Sequence, residues 1–399
     1  MSARSSLKTI GLEAAEILRR HVAAGYMSGA VAIIADAESA EVVFIGDESQ
    51  EQSVRMRRDS IFRIASMTKP VTAVATLMLI EDGKLRLDEP IDRWLPELAN
   101  RRVLREIDAP LTDTVPAKRA ITVEDLLTFR CGLGDALAPD SYPIQRAISA
   151  LQLIGFGPPD PSYPVSPDEW LQRVATLPLM AQPGERWLYN TGSCLLSVLL
   201  ARVSGQPLPE LLRKRLFEPL GMKDTAFFAA ATQLDRLVSA YRLEAGRAVL
   251  YDAPATSAWK TRPAFPDGAA GLVSTADDYL AFARLLLAGG RVGGHRLLSE
   301  ASVAAMLRDH LTARERSGGA PILSAGRGWG LGLSVVVEQG PEGLPAGCCG
   351  WSGGLGTTWM ADPRTGLHAI LLTQTQFISP VPPAVHQEFW HAVFSPTYL

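Results

Sequence analysis

The chain has 399 residues, 47% of them apolar and 20% charged, with a formal net charge of −3. That length can bury one large or two ordinary cores, and the composition is that of a globular protein. The slightly negative balance without a basic run argues against nucleic acid as a partner, and the longest apolar stretches, Val71–Ile80 and Leu195–Val203, are too short to span a bilayer.

Leu7, Ile10, Ala14, Ile17, Leu18 and His21 share one helical face, which predicts an N-terminal helix. The stretch Met1 to Arg20 lacks the apolar core and cleavage site of a secretory signal, so the expected location is cytoplasmic. Ala30–Ala35 and Glu41–Ile45 read as a β-hairpin around Asp36–Ala40.

Ser66-Met67-Thr68-Lys69 precedes an apolar run from Pro70 to Ile80 that stops at Gly83. Val71, Val74, Ala75, Met78 and Leu79 have helical spacing, and Gly83 is a natural C-terminal stop. Pro70 disfavours helix upstream, which puts Ser66 at the helix N-terminus. Backbone N–H groups there favour negative charge, and a lysine three residues on reaches the serine hydroxyl. A nucleophile then sits beside a base without any histidine. The same spacing recurs at Ser5/Lys8 and Ser257/Lys260, but neither pair opens an apolar helix.

From Ser66 to about Leu220 the signals are mostly helical: Ile121–Phe129, Trp170–Leu177, Cys194–Val203 and Pro209–Leu216. Gly155–Pro167, with five prolines, is the longest irregular stretch, and a loop of that length is often functional; its Phe156 and Tyr163 are candidates for shaping a pocket. Tyr189, on a loop leading into a helix, can offer its hydroxyl to a cleft and relay a proton. Trp329–Val337 reads as a strand, Thr357–Ala361 and Leu367–Thr375 as two more around the turn Asp362–Gly366, and Pro383–Phe394 as a closing helix. Strands at both ends with helices between predict an α+β fold with one sheet built from both chain ends.

Gly350-Trp351-Ser352-Gly353-Gly354 matches the G-x-S-x-G nucleophile elbow. Too little chain follows for the acid and histidine that such a fold needs, and strand continues where a helix should begin. A glycine-rich strand edge lets a substrate dock on backbone N–H groups instead. Cys131, Cys194, Cys348 and Cys349 lack zinc-type spacing and read as idle thiols. The six histidines form no HExxH pair, so no metal and no cofactor is expected.

Taken in order, these pieces resemble the serine β-lactamase and penicillin-binding superfamily, above all the class C β-lactamase-like carboxylesterases called family VIII esterases. Phe62–Lys69 is similar to the family's nucleophile motif, Leu85–Ile91 to its following turn, Pro183–Tyr189 to its tyrosine motif and Ala270–Asp278 to a further signature. Gly29-Ala30-Val31 resembles its first strand, and Trp351-Ser352-Gly353-Gly354 sits where β-lactamases carry Lys-Thr-Gly. The resemblance implies a single β-lactamase/transpeptidase-like unit over 1–399, with an α/β lobe of about 1–80 plus 225–399 and a helical lobe of about 81–224. It implies Ser66, Lys69 and Tyr189 as catalytic residues, an oxyanion hole from the N–H groups of Ser66 and Gly354, and substrate contact at Trp351 and Gly353. The implied substrate is a small ester cleaved through an acyl-enzyme. Acyl transfer to an alcohol, β-lactamase or DD-peptidase action, and a non-catalytic assembly role are the alternatives.

Three departures matter. Trp351 replaces the lysine that helps hold a substrate carboxylate, Thr191 replaces a frequent asparagine, and Arg130-Cys131-Gly132-Leu133 departs from His-Thr-Ser-Gly-Leu. A neutral indole cannot form that ion pair but can pack on an apolar ester.

Overall fold

A computed structural model describes residues 3–51, 53–135, 139–155 and 158–394. Helix α1 (Ala3–Ala23) leads into the antiparallel hairpin β1 (Gly29–Ala35) and β2 (Ala40–Gly46). After a gap in the sheet come α2 (Thr68–Glu81), α3 (Thr191–Ser204) and α4 (Ala276–Leu287). The chain then returns as β3 (Arg327–Trp329), β4 (Ser334–Val336), β5 (Cys349–Gly353), β6 (Thr357–Asp362) and β7 (Leu367–Thr373), and closes with α5 (Ala384–Phe394).

These seven strands form one antiparallel sheet in the order β3-β4-β5-β6-β7-β1-β2. The β7–β1 seam joins the two chain ends, with Ala30 opposite Thr373 and Ala35 opposite His368. β1 is apolar throughout and buried at all seven positions because both faces of the sheet are covered. Its side chains alternate between the two layers. Ala30, Ala32 and Ile34 join α1 and α5, while Val31, Ile33 and Ala35 join the core that holds α2 and α4.

Helix α2 departs from the single apolar face read from its periodicity. Every residue from Thr68 to Leu79 is buried, so this is a central helix covered on all sides. Its polar groups are satisfied locally: the Thr72 hydroxyl donates to the Gly268 carbonyl at 2.7 Å and that of Thr76 to the Thr72 carbonyl at 2.9 Å.

Trp329–Val337 is two strands rather than one. The chain reverses at Gly330–Leu333, where Gly332 has φ +83° and a Cβ there would lie 2.4 Å from that of Ala73 on α2. The glycine lets the hairpin tip lie against the helix that carries Lys69. The helix expected over Ile121–Phe129 shrinks to Val123–Leu127, started by a Thr122/Asp125 capping box and ended where Phe129 takes φ +57°. The Pro209–Leu216 helix is Leu208–Leu212 followed by a π-helical turn, Arg213–Phe217. No helix among the described residues is long and apolar enough to cross a membrane.

All four cysteines are free and buried. Burial pushes the Cys131 and Cys348 thiols up to about 12, and burial next to Asp267 raises that of Cys194 well above its ordinary value. These sulfurs stay protonated and inert.

Burial also depresses two histidines. His386, on α5 between Phe377 and Trp390, is pushed down to about 3, and His368 to about 4. An unfolded histidine takes a proton near 6.5, whereas folded His386 stays neutral until far lower pH. Its contribution to stability is therefore full above that ordinary value and is lost as pH falls toward about 3. The melting temperature is expected to be lower at pH 5 than at pH 7, with about 2 kcal/mol of the difference from His386. Thermal melts of His386→Phe should show a smaller gap between the two pH values; an unchanged gap removes this histidine from the account.

Candidate active site

Ser66 lies on a short turn between two elements. Phe62–Arg63 pairs with Val273–Ser274, the 3-10 turn Ala65–Met67 follows, and α2 begins at Thr68. Ala65 has φ +43°, a conformation that costs an alanine free energy and that the surrounding core enforces. The turn half-exposes Ser66 while Lys69, one turn on, is completely buried.

Lys69 Nζ lies 2.9 Å from Ser66 Oγ and donates to the Ala269 carbonyl, also at 2.9 Å. Its Nζ stands 4.6 Å from the centre of the Tyr189 ring, over its face. Among the described residues no carboxylate lies at ion-pair distance from it. Asp267, in the same buried turn as Ala269, is pushed up by burial against the opposing pull of the Ala269 N–H and of Lys69.

Tyr189 comes from the turn before α3. Asn190 has φ +79° and ψ −53°, and the Thr191 N–H donates back to the Tyr189 carbonyl at 3.1 Å. This is a positive-φ γ-turn, rare and strained, held by an Asn190 side-chain bond to the Gly155 carbonyl at 2.9 Å. The Tyr189 ring packs against Phe129, Trp187 and Trp351, each at 5.7 Å between centroids. Its hydroxyl reaches Ser66 Oγ at 2.9 Å.

Trp351, on β5, donates its indole N–H to Tyr189 Oη at 2.9 Å. An indole N–H can only donate, so Tyr189 accepts there and turns its own proton toward Ser66. Sequence reasoning placed Trp351 at the substrate; the structure shows it also holds the tyrosine. Trp351→Phe keeps the ring but removes this N–H. The expected result is a roughly tenfold fall in kcat with KM little changed, read by steady-state kinetics on an aryl ester.

The two glycines of the β5 edge differ. Gly354 borders the cleft, its carbonyl accepts the Phe377 N–H at 2.8 Å, and a Cβ there would meet nothing within 4 Å. Gly353 is buried and does not line the cleft, contrary to the expected substrate contact. A Cβ on it would lie 2.2 Å from the Ile64 carbonyl oxygen, two residues before Ser66. Its bareness lets the sheet edge approach the nucleophile turn. Gly353→Ala is expected to destabilise by about 1–3 kcal/mol and to cut activity, while Gly354→Ala melts like the parent. Melting curves of the pair check this, and equal melting would remove the close-approach argument.

Ser352 is mid-strand, paired with Thr358 Oγ1 at 2.8 Å, which is no strand-to-helix elbow. Ser257 and Lys260 turn to separate partners, Asp252 and the Ala255 carbonyl. Arg130 is held by Glu315 and Glu124, and Cys131 is buried. Tyr163 packs into the main core instead of the cleft, and Phe156 lies outside the described residues.

The cleft encloses about 400 Å³. Its rim includes the strap Gln376–Pro382, tied down where the Phe377 N–H donates to the Gly354 carbonyl and the Gln376 N–H to the Tyr241 carbonyl, each at 2.8 Å. Ile378 on this strap is 78% exposed. Arg327 is the only basic residue among the described lining residues, and it is bound to Glu342 and Ser334. Among the described residues no histidine lines the cleft. Sequence reasoning missed the Ala269 carbonyl, the strained Asn190 turn and this strap, none of which carries a motif of its own.

A beta-lactamase family model matches residues 14–385. The chain is 42% identical over 362 residues to Protein Rv1367c of Mycobacterium tuberculosis, covering 88% of this chain and 86% of that one. It is 32% identical over 369 residues to the esterase EstB of Burkholderia gladioli, with the same coverage. The solved structure of EstCE1, described as a hydrolase with promiscuous acyltransferase activity, superposes with a TM-score of 0.79 at 25% identity, covering 97% of this chain and 99% of that one. Fold, order of motifs and extent of similarity agree, and the chain belongs to the beta-lactamase family.

Proposed function

We propose that the protein is a serine hydrolase of the carboxylesterase type, cleaving small neutral esters through an acyl-enzyme on Ser66. The observation that carries this reading is the meeting of Lys69 Nζ and Tyr189 Oη on Ser66 Oγ, each at 2.9 Å. Ser66 Oγ attacks the ester carbonyl, and its proton passes to Lys69 in its amine form. The Ser66 and Gly354 N–H groups receive the developing oxyanion. Tyr189, its proton already aimed at the reaction centre by Trp351, protonates the departing alkoxide and takes in turn the proton that Lys69 received from Ser66. Water then attacks the acyl-enzyme by the reverse relay.

The cleft's charge favours neutral substrates. Among the described lining residues the one basic side chain is committed to Glu342, so a β-lactam or peptide carboxylate meets no free cation in that lining. The similarity to EstB, named an esterase, supports the same choice. A non-catalytic assembly role gives no reason for a buried lysine and a strained tyrosine turn to converge.

Acyl transfer to an alcohol is the second reading. The apolar strap of Phe377, Ile378 and Pro380 can hold an alcohol in place of water, and EstCE1 is described as having promiscuous acyltransferase activity. The test is an aryl phosphonate followed by intact-mass analysis, with a panel of aryl esters and a chromogenic cephalosporin alongside. A single adduct on Ser66 and turnover of the esters well above the cephalosporin are expected. An adduct elsewhere, or none, ends the esterase reading. A faster acyl release and a new ester on adding butanol would shift it to acyl transfer.

A further inference from the structure

A second cavity of about 1000 Å³ opens between the segment 207–228 and the loop 262–266. Among the described residues it shares none of its lining with the Ser66 cleft. Its floor is apolar: Phe217, Met222 and Phe227 are nearly fully buried, with Phe228 beside them. The floor arises where the Leu208–Leu212 helix continues as the π-helical turn Arg213–Phe217, a rare conformation that recurs at functional sites. The chain then reverses at Gly221, φ +69°.

The charges around this floor do not cancel. Glu210 and Glu218, the carboxylates of the lining, are both held by Arg213, and Glu210 by Lys214 as well. Lys223 and Arg262 are exposed at the rim, and among the described residues neither has a carboxylate at ion-pair distance. The Arg262 guanidinium stands 5.4 Å from the centre of the Phe228 ring, which sets a cation against the apolar floor. Lys223 feels Asp224 and Asp278 at longer range, but Asp224 is ion-paired to Arg236. An apolar groove with two cations outside any ion pair at its mouth complements a hydrocarbon chain that ends in an anion.

We propose that this groove binds a long-chain carboxylate, its chain on the half-buried Pro209, Phe228, Pro263 and Pro266 above the buried Phe217, Met222 and Phe227, and its head group on Lys223 and Arg262. Each methylene buried strengthens binding by about fourfold, so affinity rises with chain length. The head group separates this ligand from a neutral alcohol of equal length.

The test is calorimetry on Ser66→Ala protein, which leaves the groove intact and removes turnover from the readout. Octanoate, decanoate and dodecanoate are expected to bind with rising affinity, and dodecanol at least tenfold more weakly than dodecanoate. Lys223→Ala with Arg262→Ala is expected to lower dodecanoate affinity about tenfold or more at an unchanged melting temperature. Absent binding, equal binding of dodecanol, or undiminished dodecanoate affinity in the double variant each overturns the proposal. None of these outcomes bears on the esterase reading, because the nucleophile is absent throughout.

Discussion

Ser66→Ala is expected to lower the turnover of a short aryl ester by on the order of 10⁴–10⁶, equivalent to roughly 5–8 kcal/mol of barrier. The proposed reaction passes through a covalent bond to Ser66 Oγ, and among the described residues no second hydroxyl is placed between Lys69 Nζ and Tyr189 Oη. Removing the oxygen leaves cleft and oxyanion donors but nothing to acylate. Ser352→Ala is the matched control, since that hydroxyl is bound to Thr358 across the strand pair and is expected to be dispensable. Parent-like turnover by purified Ser66→Ala, or its complete loss in Ser352→Ala, would reassign the nucleophile.

Tyr189→Phe is expected to reduce kcat by roughly 10²–10⁴ while KM changes little. The phenyl ring still fits among Phe129, Trp187 and Trp351, so the loss isolates the hydroxyl from the packing. Two effects add. The leaving alkoxide loses its proton donor, and the Trp351 N–H loses its acceptor. Single-turnover experiments should show acylation slowed most for esters of poorly acidic alcohols, whose departure needs protonation. Equal slowing for an activated aryl ester and an alkyl ester would mean that Tyr189 acts by position alone.

Much of this was legible from local pattern. The seam β7–β1 follows from two apolar strands at opposite chain ends, and the observed sheet joins them there. Of three pairs with the same spacing only Ser66 and Lys69 adjoin a buried helix, which is what singled them out as candidates. Other errors had physical causes. Trp329–Val337 reads as apolar strand punctuated by Gly330 and Gly332, but that the chain reverses there answers to Ala73, more than 250 residues earlier. Tyr163 was assigned to the pocket by its loop, yet apolar burial drew it into the core.

The sequence alone determined the inventory: a serine and a lysine one helical turn apart, a tyrosine before a helix, and an indole beside a bare glycine edge. Periodicity and spacing are local, and local sterics and hydrogen bonding act within a few residues. Tertiary structure decided what those groups are to one another. The approach of Tyr189 to Ser66 spans 123 positions, the lysine's second acceptor comes from Ala269, and the indole turns the phenol rather than only facing substrate. Such contacts are set by how a closed core packs, and no window along the chain contains them.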